Sequence, residues 1–241
     1  VKCEEYLQFI KNGRGFLFRT LSLRRRHIFR SLPQIHGPLF SFHPPFNCIL
    51  LSSHSLPQDA SDIRQVPDHQ EVFMDPTRDE SLIFELLEYK HDVPDEGSAT
   101  WFLQDLAAEQ ESEGFVLIEQ SSVVPMPHLQ HSNSFAVGTS AVGQMCISKG
   151  RQGREAQNVV KVYMGNIRLR GVGTDVLITG YEPIVINPLS ETARAVGDGR
   201  TDSGGFVNMA DVFKVAVSSF KVHEWSLFDG EAATGSGTGL S

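Results

Sequence analysis

Cysteine is scarce in this chain: three residues in 241, at Cys3, Cys48 and Cys146, far apart and without the paired spacing of a structural zinc site. Cys146, inside an apolar segment, is expected to be a small buried residue, and a reducing intracellular compartment fits such usage. Long apolar runs are lacking too. None approaches the ~18 to 20 residues that cross a bilayer, and the longest candidate, around Val159 to Val162, is interrupted by Lys161, Asn166 and Arg168. No serine occupies a Gly-x-Ser-x-Gly elbow, so a serine hydrolase has no support. Lys149-Gly-Arg-Gln-Gly-Arg154 carries glycines, but not in the order that lets backbone amides and a lysine converge on phosphate. Gly171-x-Gly173 lacks the third glycine and following helix of a dinucleotide site. Of nine histidines only His128 and His131 stand close, in a proline-bounded loop without a neighbouring carboxylate or cysteine. Neither a metal, a cofactor nor a catalytic constellation is expected.

What the chain does have is charge, unevenly placed. The net charge is −8, yet the residues before position 55 carry eight Lys and Arg against Glu4 and Glu5. The remainder carries 13 basic and 27 acidic residues. An acidic body repels nucleic-acid and membrane phosphates and favours encounter with a basic protein face. Solubility alone also asks for a net charge away from zero, so charge by itself does not decide between the two readings.

Composition divides the chain into three parts. Residues 1–54 are a basic extension with Arg24-Arg25-Arg26 among Leu, Phe and Ser, open to reading as a transit peptide, a nuclear-localisation patch or a spurious or variable segment. Residues 55–229 read as a single α+β domain, and 230–241 as a disordered Gly/Ser-rich tail. Within the domain, Asp59 to Arg64 is expected to make a helical turn ended by Val66-Pro67-Asp68. Glu71 to Met74 reads as a short strand, and Ser81 to Tyr89 fits strand and helix equally well. A helix opens with Ser98 as its cap, burying Phe102, Leu103, Leu106 and Ala107. Further strands are expected at Phe115 to Glu119, Ser134 to Ser148, Asn158 to Arg170 and Thr174 to Ile186, the last two joined by a hairpin at Gly171-Val-Gly173. Gly138 and Gly143 mark bulges or bends. Asn187 to Gly205 reads as a flexible loop. A second amphipathic helix carries Met209, Val212, Phe213, Ala216, Val217 and Phe220, with Asn208 or Asp211 near its start, and Val222 to Phe228 packs down after it.

The most informative stretch is Asp62-Ile-Arg-Gln-Val-Pro-Asp-His-Gln-Glu-Val-Phe followed by Asp79-Glu-Ser-Leu-Ile-Phe-Glu-Leu-Leu-Glu, where carboxylates sit on otherwise β-forming runs. With Asn166-Ile-Arg-Leu and Thr174-Asp-Val-Leu-Ile downstream, this wording resembles the Ran guanine nucleotide release factors, the Mog family. The resemblance covers about residues 56 to 229. It implies a curved, mainly antiparallel β-sheet flanked by helices, a fold shared with PsbP proteins, and it favours the strand reading of Ser81 to Tyr89. It also implies a non-catalytic monomer that binds the GTPase Ran, in nucleus and cytoplasm, without nucleic acid, membrane or cofactor. The positions matching the family's contacts are Asp68, Glu71, Glu85 and Glu88, and carboxylates there suit charge-assisted pairing with Lys and Arg. The family usually opens with Leu-Phe-Gly-Gly leading into its first strand. Here Leu39-Phe40 meets Ser41-Phe42, with Pro44-Pro45 beyond. The rival reading, a plastid PsbP-like accessory protein, draws on the Arg-rich start.

Overall fold

Period-two alternation becomes strand almost everywhere it was read in the structure, a computed structural model that describes residues 41–42, 58–59, 66, 69–110, 116–131, 134–148, 154–196, 208–222 and 225–228. The strands are β1 (Ser41–Phe42), β2 (Gln58–Asp59), β3 (Gln70–Asp75) and β4 (Glu80–Glu88). Helix α1 (Ser98–Glu109) follows, then β5 (Leu117–Val124), β6 (Gln130–His131), β7 (Ser134–Phe135) and β8 (Val137–Ile147). The central hairpin is β9 (Asn158–Leu169) with β10 (Thr174–Val185), after which come α2 (Glu191–Val196), α3 (Met209–Ser219) and β11 (Phe220–Lys221). Seven strands form one sheet in the order β2-β3-β4-β10-β9-β8-β5, with every neighbouring pair antiparallel. Two two-stranded ribbons, β1-β11 and β6-β7, stand beside it. The α+β architecture expected from the sequence is the one observed.

Each sheet face has its own core because side chains alternate across a strand. On one face Leu82, Phe84, Leu86, Tyr163, Ile167, Val176 and Ile178 meet Met209, Phe213, Ala216, Val217 and Phe220. Helix α3 lies close here: a Cβ on Gly165 would stand 2.9 Å from a Val217 methyl carbon. Glycine at that position is a condition of the packing. On the other face Phe102, Leu103, Leu106 and Ala107 of α1 cover Ala141, Met145, Val162, Met164 and Leu177. The Asn208 cap expected for α3 is present, its side chain accepting from the Asp211 amide at 2.8 Å. Gly173 takes a left-handed φ of 61° in the β9–β10 connection, as the hairpin reading required.

Several elements differ from their expected form. Asp59 pairs with Phe73 at the sheet edge, where backbone bonding to β3 holds it extended; the helical turn expected up to Arg64 lies outside the described residues. Ser98 is not the cap of α1. Gly97 fills that place, and the Ser98 hydroxyl is engaged 2.8 Å from Thr139 Oγ1 inside the core. β5 runs on to Val124, because Ser122 and Ser140 bond across the strands where apolar alternation is missing. The register shift in this pair puts the extra residue on β5, between Ile118 and Gln120, opposite Gly143 and Val142 of β8. Gly143 instead permits close approach, since a Cβ there would stand 2.8 Å from Leu117 O. The segment from Ser134 divides into β7 and β8, the first pairing back on β6. Part of the region read as a loop is helix α2, tied to β9 by the Asn158 amide, which donates to Thr192 Oγ1 at 2.8 Å. Phe220 belongs to β11 and not to α3. Of the basic extension, Ser41 and Phe42 pair with Lys221 and Phe220, so a strand forms ahead of Pro44-Pro45.

Candidate functional site

β3 and β4 form a hairpin in which Gln70 stands opposite Glu85 and Asp75 opposite Glu80. Its turn is fixed by Asp75, whose carboxylate accepts from both the amide and hydroxyl of Thr77, and by Asp79 at a positive φ of 57°. This register decides where the expected partner-binding carboxylates point. Glu85 shares its face with Gln70, Val72 and Leu177, on the α1 side of the sheet. Glu71 is opposite Phe84 and therefore lies on the α3 side. Glu88 follows the parity of Leu86 and Phe84 and leaves the strand on that same α3 side. Asp68 lies outside the described residues. The two glutamates of Glu85-Leu-Leu-Glu88 thus share one end of β4, about 10 Å apart along the strand, but on opposite faces.

Their surroundings differ as well. Glu85 is largely covered, its side chain 12% exposed, and accepts from Gln70 Nε2 at 3.0 Å. His69 Nε2 stands 3.7 Å from the same oxygen. Burial, and then the charges of Glu85 and Glu109, push the Tyr181 hydroxyl well above the ordinary tyrosine range. Glu85 therefore sits in a shielded setting with Gln70 and His69 beside it. Glu88 is exposed at the strand end, paired in register with Thr174.

A residue group without an assigned role in the sequence reading builds the chain exit beside Glu88. Arg168 is the largest fully buried side chain among the described residues, and Asp175, its cross-strand partner, is equally withdrawn from solvent. Arg168 Nε donates to Asp175 Oδ1 at 3.0 Å; Nη1 donates to Val93 O at 2.5 Å and to Asp95 Oδ1 at 2.9 Å; Nη2 donates to Lys90 O. The guanidinium also lies 4.0 Å from the Tyr89 ring centre, and the Tyr89 hydroxyl donates to Asp95 at 3.1 Å. Asp175 Oδ2 accepts from Lys90 N at 2.8 Å, and Arg170 pairs with Asp95 from outside. A planar fork with five N–H donors is the side chain suited to so many acceptors. The available signal was an ionisable pair, Arg168 and Asp175, set where two strongly apolar strands meet their hairpin turn.

The histidine pair serves the C-terminal segment. His128 Nε2 lies 2.9 Å from Phe220 O, and His131 stacks on Trp225 with ring centres 4.6 Å apart. Among the described residues no group of three or more His, Cys, Asp and Glu could hold a metal ion. No helix among them is long and apolar enough to cross a membrane.

Comparison with known proteins converges on one family. Residues 51–183 match the family model described as Ran-interacting Mog1 protein. The Ran guanine nucleotide release factor of Danio rerio is 34% identical over 137 residues, 56% of this chain and 73% of that protein. The probable ran guanine nucleotide release factor of Dictyostelium discoideum is 28% identical over 174 residues, 70% and 86% of the two chains. The crystal structure of the Saccharomyces cerevisiae Ran-binding protein Mog1p aligns over 71% of this chain and 88% of its own, at 20% identity and a TM-score of 0.46. The match over more than half of the chain, with a relative above 30% identity covered across most of its length, places this chain in the Mog1 family.

Proposed function

We propose that this protein binds the GTPase Ran and promotes release of its guanine nucleotide, in support of protein transport between nucleus and cytoplasm. The observation that carries the reading is the family match over residues 51–183, which contains the whole β3–β4 hairpin and the strands that mount it. Side-chain chemistry is not needed for such a role. A protein that binds the empty GTPase more tightly than the loaded one weakens nucleotide affinity by the same ratio. It acts as a monomer, without nucleic acid or membrane, and residues 55–229 form its working domain.

Asp68, Glu71, Glu85 and Glu88 are the proposed contacts for a basic partner face. Glu85 and Glu88 project from one strand end to opposite faces, so a partner meets both by seating over the end of the sheet and not by lying flat on one face. Exposed Glu88 steers and pairs. Covered Glu85, already hydrogen-bonded to Gln70, contributes where the partner desolvates it.

Capture of Ran in its GTP-bound, GDP-bound and nucleotide-free forms tests the proposal, with release of a fluorescent nucleotide followed in parallel. Tightest capture of the empty form and faster release are expected. Equal affinity for all three forms would remove the release function and leave a binding protein; no capture would remove both.

A further inference from the structure

Glu88 is exposed, yet the chain on its C-terminal side is held more firmly than a surface turn requires. Tyr89 N donates to Gly173 O at 3.0 Å, and Lys90 N to Asp175 Oδ2 at 2.8 Å. Arg168 takes Lys90 O, Val93 O and the Asp95 carboxylate, with Tyr89 stacked on its guanidinium. Every one of these anchors reaches residues 89–95, immediately after Glu88, and all but the Tyr89–Gly173 bond come from Arg168 or from its ion-pair partner Asp175.

We propose that Arg168 is a positioning residue for partner binding: it fixes the path of residues 89–95 and thereby the direction in which Glu88 is presented. This rests on the reading of Glu88 as a contact given above. A flexible strand end would have to be ordered when the partner docks, which weakens association; a prepaid mount avoids that loss. The fork geometry matters because Lys90 O, Val93 O and Asp95 lie in different directions from the Arg168 head group. A lysine keeps the charge but cannot satisfy three separated acceptors in one plane. A merely structural Arg168 would affect melting and leave no energetic link to Glu88, and that link is what distinguishes the two.

The experiment is a double-mutant cycle in the full chain, with affinity for nucleotide-free Ran measured by calorimetry and melting curves recorded alongside. Glu88→Gln, Arg168→Lys and their combination are compared with the parent. Arg168→Lys is expected to weaken binding about tenfold in the parent but less than about twofold in the Glu88→Gln background, while lowering the melting temperature equally in both. The same fold-loss in both backgrounds, or no loss in either, overturns the positioning role. If Glu88→Gln alone leaves affinity unchanged, the contact reading of Glu88 falls and takes this inference with it. Loss from Glu88→Gln with purely additive Arg168→Lys overturns the inference only. Asp95→Asn keeps the Arg168–Asp175 pair and loosens the loop side alone. It must show the same coupling to Glu88, and it decides the matter by itself if Arg168→Lys fails to fold.

Discussion

The two faces of the sheet are built on different principles. Beneath α3 the core is mainly apolar, with Phe84 edge-on to Phe73 at 5.9 Å and Tyr163 tilted against Phe213 at 5.6 Å; the Tyr163 hydroxyl turns to Glu182 at 2.7 Å. Beneath α1 the apolar core gives way, towards the Glu88 end, to a seam of Ser98, Thr139, Asn166, Arg168 and Asp175, all buried. An apolar contact accepts any neighbour of suitable volume, so the α3 face supplies stability with little demand on orientation. The polar seam accepts one arrangement, because each donor needs its own acceptor. Stability and geometry are thus assigned to opposite sides of one sheet. Of the candidate contacts Glu85 lies on the geometric side and Glu71 and Glu88 on the other, Glu88 at the strand end next to the seam.

The largest effect should come from breaking the seam on one side only. Arg168→Met leaves Asp175 buried without its counter-charge and is expected to cost ~3 to 5 kcal/mol in urea denaturation. Phe84→Ala on the apolar face should cost a similar ~3 to 5 kcal/mol through a cavity. The comparison sharpens in the second step. Adding Asp175→Leu to Arg168→Met should recover part of the loss, because no uncompensated charge remains, whereas a further truncation opposite Phe84 only enlarges the void. A double variant less stable than Arg168→Met would end the distinction between the faces.

Next comes charge reversal at the strand end. Glu85→Lys with Glu88→Lys should weaken affinity for nucleotide-free Ran by ~2 to 5 kcal/mol with the fold retained. Glu155→Lys with Glu191→Lys makes the same change in net charge at the opposite end of β9 and should do little beyond altering salt dependence. Equal losses from both pairs would mean that only global charge matters.

A chain beginning at Ser55 tests the β1–β11 ribbon, which carries none of the candidate contacts. Loss of Ser41–Phe42 should lower stability by about 1 kcal/mol, or about 2 to 4 °C in melting temperature, and leave Ran affinity unchanged. A loss of affinity in a folded truncated chain would place part of the interface in the extension.

The smallest effect belongs to Asp105 on α1. Burial raises its carboxyl above the ordinary 3.8, with Lys90 opposing. A raised folded pKa means stability that is complete below 3.8 and lost as pH rises through the folded value. Asp105→Asn should therefore raise the melting temperature near neutral pH, with the gain fading as pH falls below 3.8. A gain that is independent of pH would refute this cause.

Much of the architecture was legible. β9, β10 and their hairpin follow from two long β-forming runs joined at Gly171-Val-Gly173, and α3 from a capped amphipathic pattern. β5 was cut short because Gln120-Ser-Ser offers no apolar period, although its backbone pairs all the same. Helix α2 was missed because six residues are too few to display periodicity, and tertiary bonds to Asn158 hold it in place. The candidate contacts could be named from wording but not oriented. Glu71 and Glu85 are separated by a turn whose length sets parity: one more residue in it would have moved Glu71 to the face of Glu85. Arg168 and Asp175 were read as part of a resemblance, yet their spacing across a hairpin already offered a facing charge pair within apolar strands.

Two of the Arg168 anchors are main-chain carbonyls, those of Lys90 and Val93. Every amino acid supplies such an oxygen. The mooring therefore recognises the path of the loop and is blind to most of its spelling: exposed Asp92 is free to vary without slackening it, and exposed His91 touches it through the Tyr89 ring, 4.8 Å between centres. Lys90 must keep an amide hydrogen for Asp175, which excludes proline there, and Asp95 must keep its carboxylate. A substitution library at 92 should accordingly keep folding where a library at 95 does not. A surface beside a binding site that can change its letters while keeping its shape can be retuned towards different partners, one residue at a time, at little structural risk.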